Sequence, residues 1–214
     1  MPVVLDPHDV AYATGSAGVR VSEPLPRAVR EFGYIPDINL WQPGDLLLFS
    51  SIKPNWIKKG ITRVQGRGWD ANHARWHHAA VYIGRARVCE ATITGVAVGS
   101  VYKYVPDYLI RVRRCPLFLG NPVGAYDIAI AALTRLNRWY SLISVVSVWW
   151  KMASGLLKLD FAATATRAHI CSHLYADSYS QATKRVLENG GTPTPAALSA
   201  SMDLEDVDSQ WKCL

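Results

Sequence analysis

Four absences narrow what this chain can be. Its four cysteines, at positions 89, 115, 171 and 213, form neither a CxxC pair nor a compact knot. That argues against a disulfide scaffold and leaves free thiols in a reducing compartment as the expectation. The first residues, Met1-Pro2-Val3-Val4-Leu5-Asp6-Pro7-His8, lack the basic region and apolar core of a signal peptide. Synthesis in the cytoplasm is therefore expected, with any export left to a machine that reads no such peptide. An unbroken membrane span is also missing. Trp139 to Trp150 carries no charge, but Lys151 interrupts before Met152 to Leu157. A span needs about 20 predominantly apolar residues, and a lysine in its middle is costly. Finally, there is no internal repeat, no low-complexity linker and no nucleic-acid-binding motif.

What remains is a chain of 214 residues, 50% hydrophobic, able to bury a substantial core as one domain over residues 1–214. Its net charge of +6 suits an anionic partner such as a phospholipid surface, a cell-wall polymer or nucleic acid, without choosing among them. Strand and helix signals are mixed, so the expected class is α+β. Trp41-Gln42-Pro43-Gly44-Asp45 reads as a turn leading into the apolar run Leu46-Leu47-Leu48-Phe49, a buried strand. His78 to Gly84, a short turn and Val88 to Ala91 form a hairpin. With residues 96–101 and 108–114, where Leu109 to Arg113 alternates apolar and basic, this predicts a mainly antiparallel sheet of about five strands (45–50, 78–84, 87–92, 96–101, 108–114) packed on helices. Helices are expected at Pro24 to Phe32, Ile52 to Gln65, Ala125 to Asn137 and after the cluster His169-Ile170-Cys171-Ser172-His173. The last should end at Asn189-Gly190-Gly191. Gly66 to His77 reads as a loop, and Thr192-Pro193-Thr194-Pro195 as the start of a short turn or helix.

Two stretches have both a structural and a functional reading. Ile52 to Gln65 carries Trp56, Ile57, Ile61 and Val64 at helical spacing with Lys53, Lys58, Lys59 and Arg63 between them. This is either a solvated basic face or a phosphate-attracting rim. Residues 139–158 are either a core helix or an apolar flap for a lipid or partner, with Trp149 and Trp150 as interfacial residues.

The chemistry gathers at two clusters. Cys171 falls where a loop is expected to turn into a helix. A thiol there meets the positive end of the helix dipole, and its backbone N–H could steady an oxyanion. A buried, inert cysteine is the plain alternative. His78 is the candidate base, with His77 alternating to the other face. Glu90 would orient the imidazole. A simple two-residue turn at Arg85-Ala86 pairs Glu90 with Val81, on the wrong face and roughly 10 Å from His78 along the strand. A bulge or a longer loop is needed to correct this. Against a metal centre, His169, Cys171, His173, His77, His78 and Cys89 lack the tight paired spacing of structural zinc sites. No metal or other cofactor is expected. A binding module without catalysis would draw on Arg111, Arg113 and Arg114 beside the basic helix.

Pro43-Gly44-Asp45-Leu46-Leu47-Leu48, His78-Ala79-Ala80-Val81-Tyr82-Ile83-Gly84 with Glu90 twelve residues on, and Cys171-Ser172-His173-Leu174 followed by Tyr179 resemble the permuted papain-like branch of the NlpC-type superfamily. Its relatives include the lecithin:retinol acyltransferase-like proteins. The resemblance covers about residues 43–187, leaves 139–158 as an elaboration, and rests on the order histidine before cysteine. It implies a circularly permuted papain-like fold and a thioester acyl-enzyme on Cys171, with His78 as base and Glu90 as third polar residue. It further implies a hydrolase or acyltransferase acting on an ester or amide bond. A phospholipid or other lipid is the favoured substrate, with Trp149, Trp150, Lys58 and Lys59 as contacts and a peripheral membrane as partner. A cell-wall peptide is the alternative, and an exported toxin of that kind would have an inhibitor or immunity protein. Nucleic acid is not an expected partner.

Overall fold

A computed structural model describes residues 3–10, 13–15, 21, 23–92, 95–136, 159–187 and 193–214, with the side chains of 57, 122 and 159–170 left aside. In chain order the strands are β1 (Val4–Leu5), β2 (Tyr34–Pro36), β3 (Leu46–Ser51), β4 (His78–Gly84), β5 (Arg87–Thr92), β6 (Gly95–Ser100), β7 (Tyr108–Arg114), β8 (Glu205–Asp206) and β9 (Trp211–Cys213). The helices are α1 (Arg27–Phe32), α2 (Trp56–Gln65), α3 (Ala71–Ala74), α4 (Pro122–Leu133), α5 (Leu159–Thr183) and α6 (Pro195–Ala200). The main sheet runs β1-β7-β3-β4-β5-β6, with β8 also on β7, and every pairing in it is antiparallel. Strands β2 and β9 form a separate two-stranded sheet. The chain is α+β with a mainly antiparallel sheet.

The apolar run Leu46-Leu47-Leu48-Phe49 shows why the sheet is central. All four residues are 0% exposed, so both faces of β3 are covered. Leu46 and Leu48 join Ala79, Val81, Cys89 and Ala91 in a layer filled by Ile128 and Ala132 of α4 and by Cys171, Leu174 and Tyr175 of α5. Leu47 and Phe49 join Ala80, Tyr82, Val88, Ile110 and Val112 in a second layer closed by Leu5, Val29, Trp41, Tyr104 and Trp211. Each large aliphatic side chain so buried adds about 1.5–3 kcal/mol. The turn before β3 is fixed by Asp45. Its carboxylate accepts from the Gln42 N–H at 2.7 Å and from Arg114 Nε and Nη2 at 2.8 and 2.7 Å.

Several expectations need correcting. The sheet has seven strands, because two-residue segments at 4–5 and 205–206, too short for a periodic signal, add to the five predicted. Strand β7 is interior rather than half-exposed, and its arginines are structural. Arg111 pairs with Asp206 at 2.7 and 2.8 Å. Arg113 is buried and donates to the carbonyls of Leu198, Ser199, Ser201 and Leu204. With Arg114 on Asp45, the basic patch proposed for a binding module is spent inside the fold. The loop before β4 contains the short helix α3, capped by Asp70. Helix α2 starts at Trp56 behind an Asn55 cap, not at Ile52. Helix α4 starts earlier, at Pro122. Helix α5 ends at Thr183, followed by Lys184 in the left-handed conformation (φ 58). The predicted Asn189-Gly190-Gly191 cap and residues 139–158 lie outside the described residues. Among the described residues no helix is long and apolar enough to cross a membrane.

Candidate active site

The hairpin β4–β5 brings its histidine and its acid together through an irregularity. Arg85 and Ala86 both have positive φ, at 51 and 57, giving a tight turn whose twist suits a hairpin. Gly84 pairs with Arg87, but Tyr82 then pairs with Val88 and Val81 with Cys89, so one residue is skipped at Ile83. That bulge shifts the parity of β5 by one. Glu90 moves from the face opposite His78 to the same face, and the obstacle a plain two-residue turn would create is removed. The result is a 2.9 Å contact between His78 Nε2 and Glu90 Oε2.

Glu90 is only 3% exposed and is met by more than the histidine. The Tyr104 hydroxyl donates to Oε2 at 2.5 Å, and the Lys103 ammonium pairs with Oε1. Both donors come from the 3-10 turn Val101–Tyr104, which follows β6 and folds back beside β5. Burial alone would raise the Glu90 pKa. The hydrogen bond and charge of His78, with Lys103 and Tyr104, outweigh it and hold the carboxyl down at about 2. Tyr104, whose own pKa is pushed far up by burial and by Glu90, keeps its proton and acts as a donor. Its ring stacks on Phe49 with centroids 3.7 Å apart, and Phe49 stacks on His78 at 5.9 Å.

Cys171 is the second partner of the imidazole. The thiol is hydrogen-bonded to His78. Since ionised Glu90 only accepts, Nε2 carries a proton toward it, and Nδ1 is left as the ring nitrogen able to accept from the thiol. Burial pulls the His78 pKa down, but the charge and hydrogen bond of Cys171, followed by those of Glu90, overcome it and raise the value to about 9. The imidazole can therefore take the thiol proton and hold it as an imidazolium between two acceptors. Its side chain is 21% exposed, whereas Cys171 is 1% exposed. His78 is thus the more open member of the pair.

The placement of Cys171 departs from expectation. It lies twelve residues inside α5 rather than at a loop–helix junction. Residues 159–168 contain no glycine or proline and include four alanines, so the helix propagates upstream. Inside a helix the backbone N–H is taken by the carbonyl four residues back, and the dipole acts only within the first turn. Neither the dipole nor that N–H is therefore available to the thiol.

His77 faces away, as alternation predicts. Its Nε2 accepts from the Ser51 N–H at 2.6 Å, and burial, with the charges of Lys58 and His78, drives its pKa down to about 3. It is a neutral strut. Lys58 reaches this neighbourhood, with its ammonium on the Tyr108 hydroxyl at 2.8 Å and 4.6 Å above the ring centroid. Tyr108 in turn packs edge-on against Tyr104 at 5.1 Å. Lys59 is exposed on the outer side of α2, and Trp149 and Trp150 lie outside the described residues. Cys89 is buried, which pushes its thiol up to about 11. Among the described residues no three His, Cys, Asp or Glu side chains gather as a metal site.

Lys103 and Tyr104 were not anticipated. The available signal was Gly99, an isolated glycine in a strand, which often marks a close approach. A Cβ there would lie 2.9 Å from Glu90 Oε1 and 3.1 Å from Lys103 Nζ. No protein-family model matches the chain, and no curated protein sequence matches it.

Proposed function

We propose that the chain is a cysteine hydrolase or acyltransferase of permuted papain-like fold, with Cys171 as nucleophile, His78 as general base and acid, and Glu90 as the orienting acid. The observation that carries this is the single imidazole held between the Cys171 thiol and the Glu90 carboxylate. In the forward step Nδ1 takes the thiol proton and the sulfur attacks the carbonyl carbon of an ester or amide. The imidazolium then gives its proton to the departing oxygen or nitrogen, leaving a thioester on Cys171. Neutral His78 next takes a proton from water, or from an acceptor alcohol or amine, whose attack releases the acyl group and restores the thiol. Glu90 stays ionised throughout and steadies the charged ring.

An acyl ester of a phospholipid or related lipid is the preferred substrate. The support is a cationic helix, α2, that sends Lys58 to the aromatic group beside the site, together with the resemblance to a branch whose members act on lipids. The test compares wild type with Cys171→Ala and His78→Ala on anionic vesicles and, separately, on purified peptidoglycan. Wild type should release fatty acid or lysolipid and show a thioester on Cys171 by mass spectrometry after an acid quench. Cys171→Ala should be inactive and His78→Ala nearly so, since groups acting as a unit lose most of the rate together. Turnover by Cys171→Ala at the wild-type rate would refute the nucleophile. Muropeptide release without lipid cleavage would move the substrate to the cell wall.

A further inference from the structure

The outer face of α2 has an unusual make-up. From Leu46 to Trp69 the chain contains no Asp or Glu, yet carries Lys53, Lys58, Lys59, Arg63 and Arg67. Lys58 turns inward to Tyr108. The other four are exposed, and none of them makes an ion pair among the described residues. Trp56, Lys59 and Arg63 stand at i, i+3 and i+7, so they share one stripe. Trp56 is 64% exposed, although tryptophan usually buries most of its ring. On the other side of the helix Ile61 and Gln65 are buried, and α2 packs against α5, which carries Cys171.

We infer that the stripe Trp56–Lys59–Arg63, flanked by Lys53 and Arg67, docks the protein on an anionic phospholipid bilayer. An indole among unpaired cations has the composition of an interfacial contact. The ring sits at the headgroup level, and the ammonium and guanidinium groups meet lipid phosphates. Nucleic acid fits less well, because tracking a strand takes a groove with several stacking aromatics. This face is one convex stripe with one exposed ring, and Arg111, Arg113 and Arg114 are engaged internally. That the docked face delivers substrate to Cys171 rests on the catalytic proposal above. The docking itself does not.

The test uses the full chain with Cys171→Ala, so that lipid turnover cannot alter the vesicles. It measures binding to phosphatidylcholine vesicles with and without phosphatidylglycerol. Binding is expected only with phosphatidylglycerol and should weaken as salt rises. Each cation contributes about fivefold at an anionic surface, so Lys59→Ala, Arg63→Ala and Arg67→Ala combined should lower affinity on the order of a hundredfold. Trp56→Ala should weaken binding while leaving its salt dependence in place. Three results overturn the inference: no binding by the parent, undiminished binding by the triple variant, or binding to single-stranded DNA or peptidoglycan in place of vesicles. A soluble short-chain ester separates this proposal from the catalytic one. If wild type forms the thioester but no variant docks, the docking face is wrong and the chemistry stands. If the parent docks but wild type forms no thioester on any ester offered, the reverse holds.

Discussion

Replacing Glu90 by glutamine should change the protein's stability in a pH window that the site itself defines. Glutamine keeps the size and the carbonyl that Tyr104 bonds, and Lys103, with 44% of its side chain exposed, can turn to water. What is lost is the charge beside His78. The His78 pKa is raised from 6.5 to about 9 against the pull of burial. Its contribution to stability is therefore fully present below pH 6.5 and is lost as pH rises through about 9. The Glu90 pKa is depressed from 4.5 to about 2, against burial, so its contribution is present above pH 4.5 and is lost as pH falls through about 2. At about 1.4 kcal/mol per pH unit, either shift corresponds to about 3 kcal/mol. The two share the His78–Glu90 contact and are not added. Cys171 supplies the larger upward share of the His78 shift and remains in the variant, so wild type should exceed Glu90→Gln by about 1–3 kcal/mol near neutral pH. The advantage should form a plateau between pH 4.5 and 6.5 that declines on both sides. Urea unfolding of both proteins at a series of pH values measures it, and titration of the labelled imidazoles by NMR should show His78 moving down in the variant. A difference that stays flat from strongly acid to strongly alkaline pH would refute the assignment of Glu90 as the charge that holds His78.

Gly99→Ala tests the same contact from the other strand. Its Cβ would press on Glu90 Oε1 and Lys103 Nζ, both ends of side chains that can give way, so stability should fall by about 1 kcal/mol or less while the His78 titration moves from its wild-type position. An unmoved titration would show that the pair tolerates the methyl group. Arg113→Met should cost about 2–4 kcal/mol in urea unfolding, because it leaves the buried carbonyls of Leu198, Ser199, Ser201 and Leu204 without their donor. A loss under about 0.5 kcal/mol would mean those carbonyls find other partners.

The elements that sequence pattern located are those whose signal is local. Leu46 to Phe49 reads as a buried strand because four large apolar residues in a row leave no polar face, and the fold covers both sides of it. The β4–β5 hairpin is legible in the same way, and even its defect is. A two-residue turn at Arg85-Ala86 forces Glu90 to the wrong face, so either the pairing slips or the acid is not a partner. The slip at Ile83 supplies the first outcome. Strands β1 and β8 were invisible because two residues carry no period, and they exist only because β7 offers an edge. The alternation in Leu109 to Arg113 was misleading for a related reason. An arginine on a strand reads as solvent-facing until a distant segment, here 198–206, brings carbonyls and a carboxylate to meet it.

The cysteine is the instructive case. Cys171 and His78 are 93 residues apart in the chain, and the structure joins them, yet the local reason for expecting a reactive thiol does not survive. A helix that already runs from Leu159, well before Cys171, removes both the dipole and the free N–H. In the proposed mechanism, activation of the sulfur then falls to the imidazole, and that shifts weight onto whatever keeps the imidazole charged. Besides the sulfur itself, Glu90 is the group placed to do so, and it needs its own support because a carboxylate only 3% exposed would otherwise take up a proton. Lys103 and Tyr104 supply that support from a turn that returns to β5 after β6, and Gly99 leaves the room for it. The chain of dependence therefore runs outward from Cys171 through His78 and Glu90 to residues with no nucleophile, base or motif among them. In the proposed mechanism a donor for the oxyanion would likewise have to come from outside the Cys171 backbone.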